Sequence, residues 1–377
     1  MSTSSGFPLL KLPLLALETC VNLMSPDSVL GLSFHSKVFK SRLCIVKWKI
    51  ESFEWVIHHS RIGFAINFNF GESFFEITTQ AECDRLRREG VQIESINLNG
   101  TTVSLAKRDR GYLIPGMWKD SDNYTKFESP LATLETLTKF LMSFVKCSKF
   151  KLNYYLEENL LTEDFFVWQY VKGNLIDLII LGMNDFGLLR MTPDDFKFLL
   201  ETLKLGYLSL NIRLSDTNFK YQGYLDAKEL RSYGDSSWIE LRNLNCQRVV
   251  LVTEFENSEQ IEKILKNWIQ GLSMEKLEYL ELYNLTISNF NSDEILKDLK
   301  HENSRFSLED IRKRIGQINS GFGLISDDYV FRDIQRKSDG RWGTLCIRSL
   351  WSFYFIVWTP EKLEKCCQET RIKLGLE

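Results

Sequence analysis

From about residue 130 onward, short apolar strands alternate with amphipathic helical stretches, and this rhythm constrains the fold more than any other feature of the chain. Runs at Phe150 to Tyr154, Leu175 to Leu181, Tyr207 to Ile212, Arg248 to Val252 and Leu277 to Leu285 read as strands centred near 152, 178, 209, 250 and 280. Between them the apolar residues change to helical spacing. Leu134, Leu137, Leu141, Phe144 and Val145 follow Pro130, Thr192-Pro193-Asp194-Asp195 is a capped start for a helix reaching Leu203, and Ile261, Ile264, Leu265 and Trp268 share one face of a helix from Ser258 to Gly271. Trp238 to Leu244 reads as a further short helix. Most strand-to-strand steps are about thirty residues, and the step from 209 to 250 is about forty. Two architectures satisfy such an alternation, a solenoid-like curved parallel sheet and a doubly wound sheet.

The flanking regions have a different character. Val46 to Ile50 alternates apolar and polar residues, and Trp55-Val56-Ile57, Gly63 to Phe70 and Phe74 to Thr78 follow, with a turn signal at Asn69-Phe70-Gly71-Glu72. Segments Ser95 to Asn99 and Thr101 to Leu105 extend what reads as an antiparallel meander. Toward the end of the chain, Asp339-Gly340 separates Arg332-Asp333-Ile334 from Thr344 to Ile347, a tight hairpin signal. The run Trp351 to Trp358 is far shorter than the ~20 residues that span a bilayer and reads as a buried strand. After Pro360 a short helix is expected, with Leu363, Cys366 and Cys367 as its modest apolar side. The expected class is α+β: three N-terminal helices, an antiparallel β meander, an irregular βα curved parallel sheet and a C-terminal β-hairpin. The expected regions are 5–46, 47–129, 130–290, 200–360 overlapping the last, and 361–377.

The N-terminal segment holds Phe7-Pro8-Leu9-Leu10-Lys11-Leu12-Pro13, then a helical stripe of Leu14, Leu17, Val21 and Met24. Ser25-Pro26-Asp27 starts a second helix: a capping serine, proline at the first helical position and an acid at the positive end of the dipole. Leu30-Gly31-Leu32-Ser33 and Ser36-Lys37 follow, with Ser33 offering a cap for a third amphipathic stretch ending near Leu43. Three helices from so few residues bury little core by themselves, so their apolar faces call for a partner.

This combination of Leu12-Pro13, a helical stripe, Pro26, Leu-x-Leu-Ser and Ser-Lys resembles an F-box. The later chain resembles a type-2 F-box-associated domain. Ser236-Ser237-Trp238, Leu241, Leu244, Asn245-Cys246 and the strand Arg248 to Val252 look like its start. Leu265-Lys266-Asn267-Trp268-Ile269-Gln270-Gly271 followed by Lys276-Leu277-Glu278-Tyr279-Leu280 is similar to its most distinctive part, and Arg332 to Arg336 with Asp339-Gly340 is similar to its terminal hairpin. Architecturally the Leu-x-x-Leu-x-Leu strand from Leu277 and its helices are also leucine-rich-repeat-like, with repeats slightly longer than the usual ~20–29 residues.

Composition excludes little and suggests no catalyst. Net charge is −3 with the two signs well mixed, which disfavours a dedicated nucleic-acid surface. The eight cysteines are scattered, with no metal-ligand spacing, and read as reduced thiols of a cytoplasmic or nuclear protein. Pro8, Lys11 and Pro13 interrupt the first apolar stretch, so no signal peptide is expected. His35, His58, His59 and His301 form no metal pattern, and no Walker loop, Gly-x-Ser-x-Gly elbow or dinucleotide fingerprint occurs; Gly321-Phe322-Gly323 lacks its third glycine. Asp194-Asp195 and Asp327-Asp328 read as cap and turn residues. The basic clusters are Arg85, Arg87 and Arg88; Arg312-Lys313-Arg314; and Arg336-Lys337, for which solvated faces are the simplest account.

The resemblance implies a substrate-recognition subunit of an SCF-type ubiquitin ligase, acting by proximity and not by bond chemistry. It implies that Leu9, Leu10, Leu12, Pro13, Leu17, Val21, Met24, Pro26, Leu30 and Leu32 bind a Skp-family adaptor, which joins a cullin, while the C-terminal region holds a protein substrate. No cofactor, metal, nucleic acid or membrane is expected. The alternative is a repeat-type interaction module whose degenerate F-box serves as a structural cap, with no ligase role.

Overall fold

The computed structural model describes residues 9–58, 61–68, 71–98, 101–108, 111–118, 128–156, 159–181, 189–234, 236–252, 258–283, 295–318, 329–347 and 352–376. The chain divides into two compact units: unit 1 is residues 1–185 with 202–204, and unit 2 is residues 186–201 with 205–377. Both mix helices with sheet, as the α+β expectation requires.

Unit 1 opens with α1 (Leu14–Leu23), α2 (Pro26–His35) and α3 (Lys37–Val46). Ser25 caps α2, its Oγ accepting from the Ser28 N–H at 3.3 Å with Pro26 at the first position. The cap of α3 is Ser36, whose Oγ accepts from the Phe39 N–H at 3.1 Å. Ser33, the cap expected from sequence, instead lies inside α2, buried, with its hydroxyl donating to the Leu30 carbonyl at 2.7 Å. The three helices close on a small core of Leu17, Val21, Val29, Leu30, Phe39 and Leu43.

The helices lead into β1 (Trp48–Lys49), β2 (Ser52–His58), β3 (Arg61–Phe68), β4 (Gly71–Thr79), α4 (Gln80–Arg88), β5 (Ile93–Leu98), β6 (Thr101–Arg108) and β7 (Gly111–Trp118). Then come α5 (Glu128–Met142), β8 (Val145–Lys146), β9 (Lys149–Tyr155), α6 (Trp168–Val171) and β10 (Leu175–Leu181). The main sheet runs β5-β6-β7-β4-β3-β2-β9-β10, with β7–β4, β2–β9 and β9–β10 parallel and the rest antiparallel. The meander is therefore antiparallel in its hairpins, while α4, β5 and β6 carry the chain back so that β7 enters beside β4 in the parallel sense. Its core is aromatic: Phe53 stacks on Phe64, and Phe64 on Phe75, with centroids 5.1 and 4.5 Å apart. Trp55 stacks on Phe150 and donates its indole N–H to Thr138 of α5 at 3.1 Å. Only glycine fits at position 63, because a Cβ there would overlap the Phe75 carbonyl.

Unit 2 comprises β11 (Leu189–Met191), α7 (Pro193–Thr202), β12 (Lys204–Leu214), β13 (Glu229–Ser232), β14 (Arg248–Val252), α8 (Ser258–Gln270) and β15 (Tyr279–Tyr283). After these come β16 (Glu302–Asn303), α9 (Leu308–Ile318), β17 (Val330–Gln335), β18 (Trp342–Ile347), β19 (Ser352–Trp358), α10 (Pro360–Leu363) and α11 (Gln368–Lys373). Strands β11 to β15 pair in chain order and in parallel, without the order reversal of a doubly wound sheet. Strand β13, absent from the sequence expectation, lies in the forty-residue step and divides it. Its Glu-Leu-Arg-Ser is short and polar, hiding it from a search for apolar runs. The span Trp238 to Leu244 contains only a single 3₁₀ turn at Leu241–Asn243.

An antiparallel half completes this sheet. β19 pairs with β15, β18 with β19, and β17 with β18, the last through the expected hairpin, in which Gly340 adopts φ +73°. Alternation along the strands gives two unlike faces. Leu208, Leu230, Val249, Leu280 and Phe355 are in register on one, where Trp268 of α8 meets Phe355 edge-on at 4.8 Å. The other carries Tyr207, Glu229, Arg248 and Tyr279 in one row and Ser209, Arg231, Val250, Glu281 and Tyr354 in the next. Its antiparallel end is covered by α9, whose Ile311 and Ile315 share a core with Val250, Tyr279, Tyr354 and Trp358.

Candidate functional site

Two surfaces carry features beyond what folding requires. The first is the outside of α1 to α3. Of the eleven exposed large hydrophobic side chains among the described residues, six lie here: Leu14, Leu15, Leu23, Leu32, Val38 and Ile45. Isolated exposed leucines are ordinary, whereas this concentration within about thirty residues is not. Leu15 and Leu23 are the extremes, at 76% and 78% exposure. The residues to which sequence assigned adaptor binding separate into two groups. Leu17, Val21 and Leu30 are wholly buried in the module's own core; Leu9, Leu10, Leu12, Met24 and Pro26 are half-buried; Pro13 and Leu32 are exposed. Leu14, expected on the same stripe as Leu17, and Leu15 add to the exposed apolar surface. The other side of the module packs onto its own unit, Phe34 stacking on Phe140 of α5 at 5.5 Å and Lys40 lying over the same ring at 4.2 Å.

The second surface is the polar face of the unit 2 sheet. Glu229 is held by two arginines from neighbouring positions in the register. Arg231 reaches its Oε1 with Nε at 2.7 Å and Nη2 at 2.6 Å, and Arg248 Nη1 lies 3.5 Å from its Oε2. Arg231 also donates to the Tyr233 hydroxyl at 3.4 Å and lies 5.7 Å from the Tyr207 ring centroid. Burial alone would weaken the hold of Arg231 on its proton, but the bonds to Tyr233 and Glu229 outweigh it and keep the guanidinium charged. One strand further, Glu281 is fully buried and accepts from the Tyr279 hydroxyl at 2.9 Å. Burial raises its carboxyl above the usual range, against the opposing pull of the Tyr283, Tyr279 and Tyr354 hydroxyls and the Arg231 charge. The same burial, with Glu281 alongside, raises Tyr279, so its hydroxyl stays a donor. These residues are invisible to motif reasoning. They assemble through strand register, and the signal was the alternation inside each strand once β13 is recognised.

The other residues weighed from sequence do not converge. Arg85 and Arg87 pair along their helix with Glu89 and Asp84. Arg314 turns inward to Glu278 while Arg312 and Lys313 face solvent. Arg336 is buried and donates to the Glu275 carbonyl at 3.2 Å. Asp195 closes a capping box with Thr192, its carboxylate accepting at 2.7 Å and its N–H donating to Thr192 Oγ1 at 3.2 Å. His35 sits 3.2 Å from Glu94, His58 stands edge-on to Tyr155, and His301 contacts the Leu299 carbonyl. His59, Gly321-Phe322-Gly323 and Asp327-Asp328 lie outside the described residues. Among the described residues no three His, Cys, Asp or Glu side chains group as a metal site, and the seven described cysteines are free thiols. No helix among the described residues is long and apolar enough to cross a membrane.

Residues 217–282 match the family model described as F-box associated. This span starts just after β12 and runs through β13, β14 and α8 into β15, and so contains Glu229, Arg231, Arg248 and Glu281. It supports an F-box-associated domain in this part of the chain, in line with the resemblance carried by the Trp268 and Leu277 segments. No curated protein and no solved structure matched the chain.

Proposed function

We propose that the chain is the substrate-recognition subunit of an SCF-type ubiquitin ligase, in the cytoplasm or nucleus. The observation that carries this reading is the F-box-associated match at residues 217–282 in a chain whose N-terminal helices expose a concentrated apolar surface. The α1–α3 module binds a Skp-family adaptor and through it a cullin, and unit 2 holds a protein substrate. The chain performs no bond chemistry; it raises the local concentration of substrate at the ubiquitin-charged enzyme. Within the module the labour is divided. Leu17, Val21 and Leu30 set the helices, while Leu9, Leu10, Leu12, Pro13, Met24, Pro26 and Leu32, joined by Leu14, Leu15 and Leu23, supply the contact.

A second reading has one observation in its favour: Phe34 anchors α2 to Phe140, as expected of a helical cap with no adaptor. The two are separated by co-purifying a Skp-family adaptor with the full chain and with Leu15→Asp/Leu23→Asp. Both leucines are exposed, so the double variant keeps its fold. The receptor reading expects wild type to retain adaptor and the variant to lose it. Failure of the wild type to bind adaptor, or equal retention by both, would overturn it.

A further inference from the structure

Among the described residues, the polar face of unit 2 carries more arginine than acid. Arg190 of β11 is in register with Arg213 of β12, and both are exposed between buried neighbours. Arg213 lies four residues along β12 from Ser209, the register partner of Arg231, and therefore shares its face. Arg248 lies one row in the opposite direction. At about 3.3 Å per residue, the stripe from Arg213 to Arg248 is roughly 20 Å long, the reach of about six extended residues.

The described acids in these rows, Glu229 and Glu281, are withdrawn from solvent. The Glu229 side chain is 11% exposed, against 26% and 30% for Arg231 and Arg248, and Glu281 is fully buried. Beyond Arg248, Arg314 and Lys362 share the single carboxylate of Glu278, at 3.2 and 2.6 Å. The crowding shows in their proton affinities. Burial first, then the Arg314 and Arg248 charges, lowers Lys362, and burial together with Arg248 lowers Arg314 despite Glu278. In a chain of net charge −3 this local excess of cations is a departure from the average.

We propose that this face binds an extended acidic peptide segment of a partner protein, its carboxylates meeting Arg190 and Arg213 at one end and Arg231 and Arg248 at the other. The planar guanidinium fork matches a carboxylate bidentately; Arg190 and Arg213 present theirs to solvent, and Arg231 and Arg248, which already hold Glu229, add positive charge at the other end, so the stripe suits a run of acidic side chains better than one isolated charge. Single-stranded nucleic acid would require open aromatic platforms, whereas the Tyr207 ring is already approached by Arg231. As a description of substrate this rests on the receptor reading above; as a binding property of unit 2 it stands apart from adaptor binding.

The test is fluorescence anisotropy of a labelled deca-glutamate peptide with the full chain, with a deca-lysine peptide, a phosphoserine peptide of equal charge and a uridine decamer as comparisons. Deca-glutamate is expected to bind with an affinity that falls as salt rises, and deca-lysine not to bind. Arg190→Gln/Arg213→Gln removes only exposed side chains and should weaken binding roughly tenfold with circular dichroism unchanged. Wild-type affinity in Arg190→Gln/Arg213→Gln, or tighter binding of the phosphoserine peptide or of the uridine decamer, would overturn the proposal. Adaptor co-purification from the same preparation reports on the ligase reading separately.

Discussion

Asp310 joins two helix starts that are distant in sequence, and replacing it tests the packing of unit 2 directly. It is buried beside Ser307, at the head of α9, and Cys367, at the head of α11. Its Oδ1 accepts from the Cys367 N–H at 2.9 Å; its Oδ2 accepts from the Thr370 and Ser307 hydroxyls at 2.6 and 2.8 Å. In return Ser307 Oγ accepts from the Asp310 N–H at 3.1 Å, and Thr370 Oγ1 from the Ser307 N–H at 3.0 Å. Asp310→Ala removes these three bonds to a charged acceptor and a fourth, weaker one from the Cys367 thiol to Oδ2 at 3.1 Å. Each of the three is worth about 1.5–3 kcal/mol, but the bonds are coupled, and water reaches the partly exposed Ser307, so the expected loss is about 3–5 kcal/mol. For a unit of this size that lowers the thermal midpoint by about 6–20 °C. The pH dependence adds a second signature. Burial alone would raise the Asp310 carboxyl, but the bonds from Thr370, Cys367 and Ser307 outweigh it and hold it below the usual range. A depressed folded-state value means stability that is present above about pH 4 and lost as pH falls through the folded value. The wild type and Asp310→Ala should therefore differ most at neutral pH and converge in acid, followed by circular dichroism melts. A neutral-pH difference under 1 kcal/mol, or a gap that persists unchanged at low pH, refutes this account of the double cap.

Three further expectations follow from single contacts. Leu17→Ala empties a fully buried site in the helical module and should cost about 2–5 kcal/mol, seen as a fall in the urea midpoint, whereas Leu15→Ser at the exposed position should change it by under about 0.5 kcal/mol. Gly63→Ala drives a methyl into the Phe75 carbonyl of the neighbouring strand; a loss of at least 2 kcal/mol is expected, and an unchanged melting curve would contradict the close approach. Glu281→Gln tests a carboxyl raised by burial: the folded protein holds that proton more tightly than the unfolded chain, so its contribution declines as pH rises from about 4 toward the folded value. The variant should lack that decline, with urea titrations differing in slope by up to about 1.4 kcal/mol per pH unit in that window.

What the sequence made legible was whatever depends on neighbours along the chain. Ser25-Pro26 announces α2 because capping and the proline constraint act within one turn, and Ile261, Leu265 and Trp268 announce α8 because a helix repeats its face every few residues. The Asp339-Gly340 hairpin is as local, since a positive φ at one position selects glycine. Strand β13 failed the same test: with only Leu230 to face the core, it has no apolar run of its own and is strand because β12 and β14 flank it. The helical leucines posed a related difficulty. Leu14 and Leu17 share one stripe in sequence, and only the closing of α1 on α3 makes one surface and the other core. The arginines sharpen the same point. Clusters contiguous in sequence, such as Arg312-Lys313-Arg314, are spread around a helix and do not act together. Arg213, Arg231 and Arg248 are far apart in the chain yet lie along one face, because parallel pairing sets strands that are about twenty residues apart in sequence side by side at about 5 Å. A binding surface built across a parallel sheet is therefore a property of register, and register is fixed by the apolar face on the other side: Leu208, Leu230, Val249 and Leu280 must align to form one buried row, and the residues between them are brought into line as a consequence.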